Sequence, residues 1–249
     1  MRDIITYGSS WYGTDMIHYA ENQTEKVVYL TIDDFPSIDL PSTEQLLNLL
    51  QGLEVPVCFF VIQYNLKQEK LNEILVHRLL NEGHELGNHY DIDKSATDLS
   101  EEKFKQYLLG TEKWLDKYDI HFSSRLPKFF RPPYGKTNDK MTKVLKENNY
   151  INILGDVYTL DGTYDYRAEE HAQLIINGVQ EGSIIILHSP EEFTRRKTFE
   201  ILKIIVPELK KKGYKFELLS SYFRKNKNEK ERKEWIKAKK VWDIEMKEQ

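Results

Sequence analysis

The sequence predicts an α/β fold built on a parallel sheet, and three observations carry that prediction. Seven short β-type runs alternate with six segments of helical period. The runs are almost wholly apolar, as in strands covered by other structure on both faces. Ionisable residues then collect directly after the runs rather than within them, which is where parallel α/β folds place their sites. On pattern alone, a doubly wound open sheet and a closed barrel satisfy these observations equally.

The elements follow in order. VVYLTID (27–33) reads as the first strand, with a helix over 43–53 behind it. VPVCFFVI (55–62) is the second strand, followed by a helix over 67–82 that Gly83 stops. HELGN (84–88) leads to a helix over 100–118, opened by the Ser100 hydroxyl with Glu101 and Glu102 in its first turn. KFFR (128–131) precedes a helix over 137–149, opened by Thr137. INILGD (151–156) reads as one strand, followed by a helix over 166–180 before Gly182. SIIILH (183–188), a helix over 195–212 ending at Gly213, and KFELL (215–219) complete the series.

Composition narrows the function. A net charge of −4 offers no basic field to attract phosphates, which argues against a nucleic-acid partner. The one cysteine, Cys58, cannot form an intramolecular disulfide, and its β-branched and aromatic neighbours mark it as a buried thiol. No signal-peptide pattern and no long apolar run occur, so neither a leader nor a transmembrane helix is expected. Cytoplasm is the expected compartment, with a mature secreted fragment as the alternative. Residues 27–223 read as one catalytic domain and 1–26 as an extension packed on it. Residues 224–249 read as a charged helix, with ten basic and six acidic residues, whose Trp235 and Trp242 dock on the body.

The chemistry-bearing residues after the strands are Asp33 and Asp34, then His89, Asp91 and Asp93, then Arg131 and Tyr134, then Asp156 and Asp161, and finally His188. Two adjacent carboxylates raise each other's pKa unless a positive charge sits between them, and a divalent cation is the economical answer. His89 and Asp93 stand four apart, which on a helical turn places both on one face. An Asp, His, Asp set with an open position suits zinc or another borderline divalent ion such as cobalt.

In order and spacing these motifs resemble the polysaccharide deacetylases, the NodB-homology domain of carbohydrate esterase family 4. TIDDFPS resembles that family's T-F-D-D-G-P, EGHELGNH its E-G-H-E-I-G-N-H, and FFRPPYG contains its R-P-P-Y-G unchanged. GSIIILHS resembles G-S-I-I-L-L-H-D, and KKKGYKFELL its closing strand. The resemblance implies a distorted (β/α) barrel of about seven strands, choosing barrel over open sheet. It implies metal-dependent removal of acetyl groups from N-acetylhexosamines of a chitin-like or peptidoglycan-like glycan. Hydrolysis of a small non-sugar amide or imide, and a non-catalytic glycan-binding relative, are the alternatives.

Carried onto this sequence, the resemblance implies Asp33 as general base, with Arg131 holding it. His188 is then the general acid, tuned by Asp161, and the backbone N–H near Tyr134 an oxyanion donor. Asp34 and His89 become metal ligands. The usual His-x-x-x-His ends here on Asp93, taken as the substitute third ligand, with Asp91 as its rival. Three further departures stand out: Phe35 replaces a Gly and is expected to narrow the mouth, Gly162 replaces a Trp, and Ser189 replaces an Asp. Tyr90, Tyr158 and Tyr164 are candidate sugar-stacking aromatics.

Overall fold

β1 (Val27–Phe35) is the central strand, and every residue of it is buried. In the computed structural model, residues 16–21, 23–66, 69–119, 122–124, 127–159, 161, 167–191 and 195–225 are described. The other strands are β2 (Cys58–Val61), β3 (Glu85–Asn88), β4 (Lys128–Phe130), β5 (Tyr150–Asn152), β6 (Val157–Tyr158), β7 (Ile184–His188) and β8 (Lys215–Phe216). Between them run α1 (Leu40–Leu53), α2 (Glu69–Asn81), α3 (Glu101–Leu115), α4 (Asp139–Glu147), α5 (Ala168–Gly178) and α6 (Lys197–Lys211), with α7 (Leu219–Lys225) last. Every strand pair is parallel, in the order β5-β4-β3-β2-β1-β7-β6, with β8 beside the first residues of β1.

The strand expected over 151–156 stops at Asn152, and a second strand begins only at Val157. The first, β5, pairs with β4; the second, β6, pairs with β7. The two ends of the sheet are therefore joined by the chain itself, which curls the sheet into a distorted barrel. Gly155 makes the crossing possible: a Cβ there would lie 2.6 Å from Ile186 Cγ1 and 2.8 Å from the Ile184 carbonyl oxygen. The segment before β1 adds a brace. Ile17 pairs with Ile153, and Tyr19 with Ser183, so residues 17–19 span from the end of β5 to the start of β7.

Alternation along β1 sorts the core into two layers. Val28, Leu30 and Ile32 face the helices with Phe59, Val61 and the apolar stripes of α1 and α6. Val27 and Tyr29 face inward with Cys58, Phe60, Phe129 and Ile184. Cys58 is a buried free thiol, as its neighbours suggested. KFELL is shorter as a strand than expected, because Leu219 opens α7 instead. Leu219, Tyr222 and Phe223 plug the apolar end of the interior, with Phe223 5.4 Å from Phe129. The barrel's floor is thus closed, and polar inward positions begin only at Thr31.

The helix starts are mostly as read. Ser100 caps α3 by accepting from the Lys103 N–H, but α4 is capped by Asn138 rather than Thr137. Gly83, Gly182 and Gly213 all take left-handed φ after their helices. At Gly182 this is obligatory, since a Cβ would sit 2.0 Å from the Ala20 carbonyl oxygen. The helix expected beyond residue 225 lies outside the described residues. Among the described residues no helix is long and apolar enough to cross a membrane.

His84, just before β3, gives the fold an acid-labile point. Its Nδ1 accepts from the Val57 N–H at 3.1 Å, and its Nε2 is buried without a partner. Burial pushes its pKa down to about 4. A histidine kept neutral when folded loses stability as pH falls below its unfolded pKa near 6.5, and the loss levels off below about 4. The expected loss is roughly 3 kcal/mol. Urea midpoints of the wild type and His84→Gln should diverge across that window; parallel curves would show that His84 is not the titrating group.

Candidate active site

Two consecutive residues of a regular strand point to opposite faces, so Asp33 and Asp34 should be separated. A bulge brings them together. Ile32 pairs with Phe59 and Phe35 with Val61, which sets three steps on β1 against two on β2. Asp34 absorbs the extra residue with a left-handed φ of 59°, a conformation Asp tolerates better than most. Asp33 keeps the inward phase of Thr31, and Phe35 returns to the helix side.

Two guanidiniums then compensate the two carboxylates. Arg131 is only 1% exposed. It donates from Nη1 to Asp33 Oδ1 at 2.5 Å and to Thr31 Oγ1 at 2.8 Å. Nη2 and Nε donate to the carbonyls of Leu154 and Ile153, and the guanidinium lies 4.0 Å from the Phe60 ring centre. Arg195 donates to Asp34 Oδ2. Burial alone would raise the Asp34 pKa, but His89, Arg195 and His188 together hold it below the usual carboxylate value. The remaining oxygens of both aspartates face one atom, His89 Nε2, at 3.8 Å from Asp33 Oδ2 and 3.5 Å from Asp34 Oδ1. His89 Nδ1 lies 2.8 Å from the Arg131 carbonyl oxygen. A carbonyl only accepts, so Nδ1 carries a proton and Nε2 is the ring atom turned to the carboxylates.

His188 ends β7 directly beside Asp33, its register partner on β1, and the Ser189 N–H donates to the Asp33 carbonyl. Asp161 fixes it twice, accepting from the His188 backbone N–H at 2.9 Å and lying 2.8 Å from Nδ1. Burial would lower the His188 pKa. The Asp161 hydrogen bond and charge, with Asp33 and Asp34 behind them, raise it to about 9.

Several expected residues sit elsewhere. Asp93 is exposed, and the chain after β3 is not helical, so the four-residue spacing does not place it beside His89. Tyr90 takes a left-handed φ of 84° there, which helical backbone does not allow, and its ring stacks on Phe104 at 5.5 Å. Asp93 still feels the site: partial desolvation, then the charge of Asp34, push its pKa up, while His89, Arg195 and His188 oppose them. For Asp91 it is partial burial that pushes the pKa up. Tyr90 is a core residue, not a sugar platform. Phe35 packs on Phe59 at 4.6 Å in the core, so it does not narrow the mouth. Asp156 serves the fold, accepting from Ser183 Oγ and the Ile184 N–H at the start of β7. Tyr134, in the turn after β4, holds a left-handed φ of 60° and is 65% exposed, and Tyr158 is also exposed. Ser189 is buried; Gly162 and Tyr164 lie outside the described residues.

The sequence reading missed Arg195. Its one signal is TRRK at the start of α6, a basic run at the positive end of a helix dipole, where cations are disfavoured.

The donors fit a divalent cation at two points. Asp34 Oδ1 is buried without a hydrogen-bond partner, and His89 Nε2 faces it at 3.5 Å. A third donor is not gathered: among the described residues no group of three His, Cys, Asp or Glu side chains forms a ready cage.

A sequence profile described as polysaccharide deacetylase matches residues 20–153. A peptidoglycan-N-acetylglucosamine deacetylase of Bacillus cereus is 31% identical over 212 residues, covering 85% of this chain and 94% of that protein. Among solved structures, a peptidoglycan N-acetylglucosamine deacetylase in complex with 4-naphthalen-1-yl-N-oxidanyl-benzamide superposes with a TM-score of 0.74. It is 26% identical, covering 86% of this chain and 94% of its own. A family 4 acetyl xylan esterase from Clostridium thermocellum in complex with cobalt has a TM-score of 0.70 and 31% identity, covering 80% and 90%. The chain therefore belongs to the polysaccharide deacetylase family, carbohydrate esterase family 4, and is a hydrolase of that type.

Proposed function

We propose that this protein removes the acetyl group from N-acetylglucosamine residues of a peptidoglycan-like glycan. The observation that carries the reading is the pairing of Asp33 and His188 across adjacent strands, each held by its own partner of opposite charge. Amide hydrolysis needs a base for water and a separate acid for the amine, with pKa values pushed apart. The names of the relatives support the glycan.

Asp34 and His89 would hold a divalent metal, with Asp93 as third ligand once its carboxylate swings inward. When bound, such an ion polarises the scissile carbonyl and acidifies water. Asp33 Oδ1 is occupied by Arg131, so Oδ2 is the atom free to take the proton from water. Asp161 holds the His188 Nδ1 proton, which leaves Nε2 to protonate the departing nitrogen. The backbone N–H at Tyr134 would supply an oxyanion donor.

Acetate release from short N-acetylglucosamine oligomers and soluble peptidoglycan, with chelator-stripped and zinc- or cobalt-restored protein, tests this. Metal-restored release is expected; none on either substrate despite bound metal would refute the glycan assignment. Asp93→Ala should weaken metal binding at least about tenfold in a chelator competition, and unchanged affinity would exclude Asp93 as a ligand.

The acid role has a pH signature. His188 must be protonated to act, so kcat should fall as pH rises through about 9. In Asp161→Asn that basic limb should move to lower pH. Its raised folded pKa also contributes stability that is complete below about 6.5 and lost as pH rises through about 9. A basic limb that does not move in Asp161→Asn would remove Asp161 as the tuning group.

A further inference from the structure

Arg195 is a cation built against a metal-ligand carboxylate, and the mechanism above does not use it. Its position is not that of a loose loop tip. The Arg195 carbonyl accepts from the Thr198 N–H in the first turn of α6, and Thr198 Oγ1 donates to the His188 carbonyl at 3.1 Å. The start of α6 is thereby tied to the end of β7, and Arg195 leaves that tie with a left-handed φ of 55°. Of the two Asp34 oxygens, its guanidinium takes Oδ2. Asp34 Oδ1, buried and unpartnered, stays turned to His89.

The geometry points to Arg195 as a positioning residue that keeps Asp34 in its ligand pose without a metal and, through its charge, weakens divalent-ion binding at the site. This rests on the metal reading given above. Two consequences follow from one contact. A carboxylate with one oxygen pinned is already oriented, so the site stays assembled between metal-binding events. A fixed positive charge on the same carboxylate also repels an incoming cation and withdraws donor strength from Oδ1. Charge balance gives the arrangement a reason. Asp93 adds a third carboxylate whose charge acts on Asp34, and Arg195, with His89 and His188, is among the positive charges that act on both. The metal would then be held reversibly, with occupancy following its free concentration.

Arg195→Gln separates the two roles, because it keeps a donor for Asp34 Oδ2 and removes the charge. Chelator-stripped wild type and variant would be titrated with zinc and with cobalt against a chromophoric chelator. The cobalt absorption band reports coordination independently of activity. Arg195→Gln should bind about tenfold tighter or more, while Arg195→Lys, which keeps the charge, should stay within about threefold of wild type. Without metal, Arg195→Gln should melt at a lower temperature than wild type, and saturating metal should raise its midpoint more. Equal or weaker affinity in Arg195→Gln would overturn the inference, as would tightening in Arg195→Lys. So would unchanged metal affinity with a raised KM for a carboxylate-bearing glycan, which would make Arg195 a substrate clamp. No metal bound by any of the proteins would refute the metal reading as well; the first three outcomes leave it standing.

Discussion

Replacing Asp33 with Asn should lower the rate of acetate release by roughly 10^2- to 10^4-fold while metal content is retained. An amide has the shape of the carboxylate and still accepts from Arg131, so the strand, the bulge and the neighbouring ligands keep their places. What it cannot do is take a proton from water. Asp34 and His89 are untouched, and one fewer negative charge remains beside Arg131. The measurement is kcat together with metal per protein by elemental analysis. A rate within about threefold of wild type would remove Asp33 as the base. Loss of metal with loss of rate would instead make it a ligand.

Arg131→Met should destabilise the fold by about 3–5 kcal/mol and abolish activity. The residue is buried, and its guanidinium serves Asp33, Thr31 and two carbonyls at once. Removing it leaves a buried carboxylate uncompensated and two carbonyls without their donor. A lysine keeps the charge but cannot span four acceptors, so Arg131→Lys should recover only part of the loss. The pairing is diagnosed by the double variant. Asp33→Asn in the Arg131→Met background should return much of the lost stability, since no unpaired charge then remains. Simple additivity of the two single effects in urea denaturation would show that the ion pair is not the cause.

Much of this protein is legible in its sequence because local rules govern it. Apolar runs with glycine stops give β1 to β4, β7 and the helices α1 to α6, for burial and backbone freedom act residue by residue. The ends of those strands name Asp33, His89, Arg131 and His188, because a parallel sheet displays function at one edge. Asp161 stands after a strand as well, but its role beside His188 came only through the family resemblance. That the strand in INILGD stops at Asn152 and pairing resumes only at Val157 could not be read, since it depends on Gly155 meeting Ile184 and Ile186 about thirty residues away. The helical reason for pairing Asp93 with His89 does not hold, because a four-residue spacing acquires that meaning only on a helix, and Tyr90 takes a left-handed φ with its ring in the core. Phe35 was misread because the bulge reverses the face of every residue after Asp34.

The sequence by itself determined the fold class, the motif order and the residue types available for acid–base chemistry. Only the tertiary structure decided how two adjacent carboxylates share one site. That answer needs a bulge set by the register with β2, Arg131 from β4 and Arg195 from the start of α6. Charge compensation in a buried site acts through space, and its partners lie about one hundred and one hundred and sixty residues along the chain, where no local pattern records them.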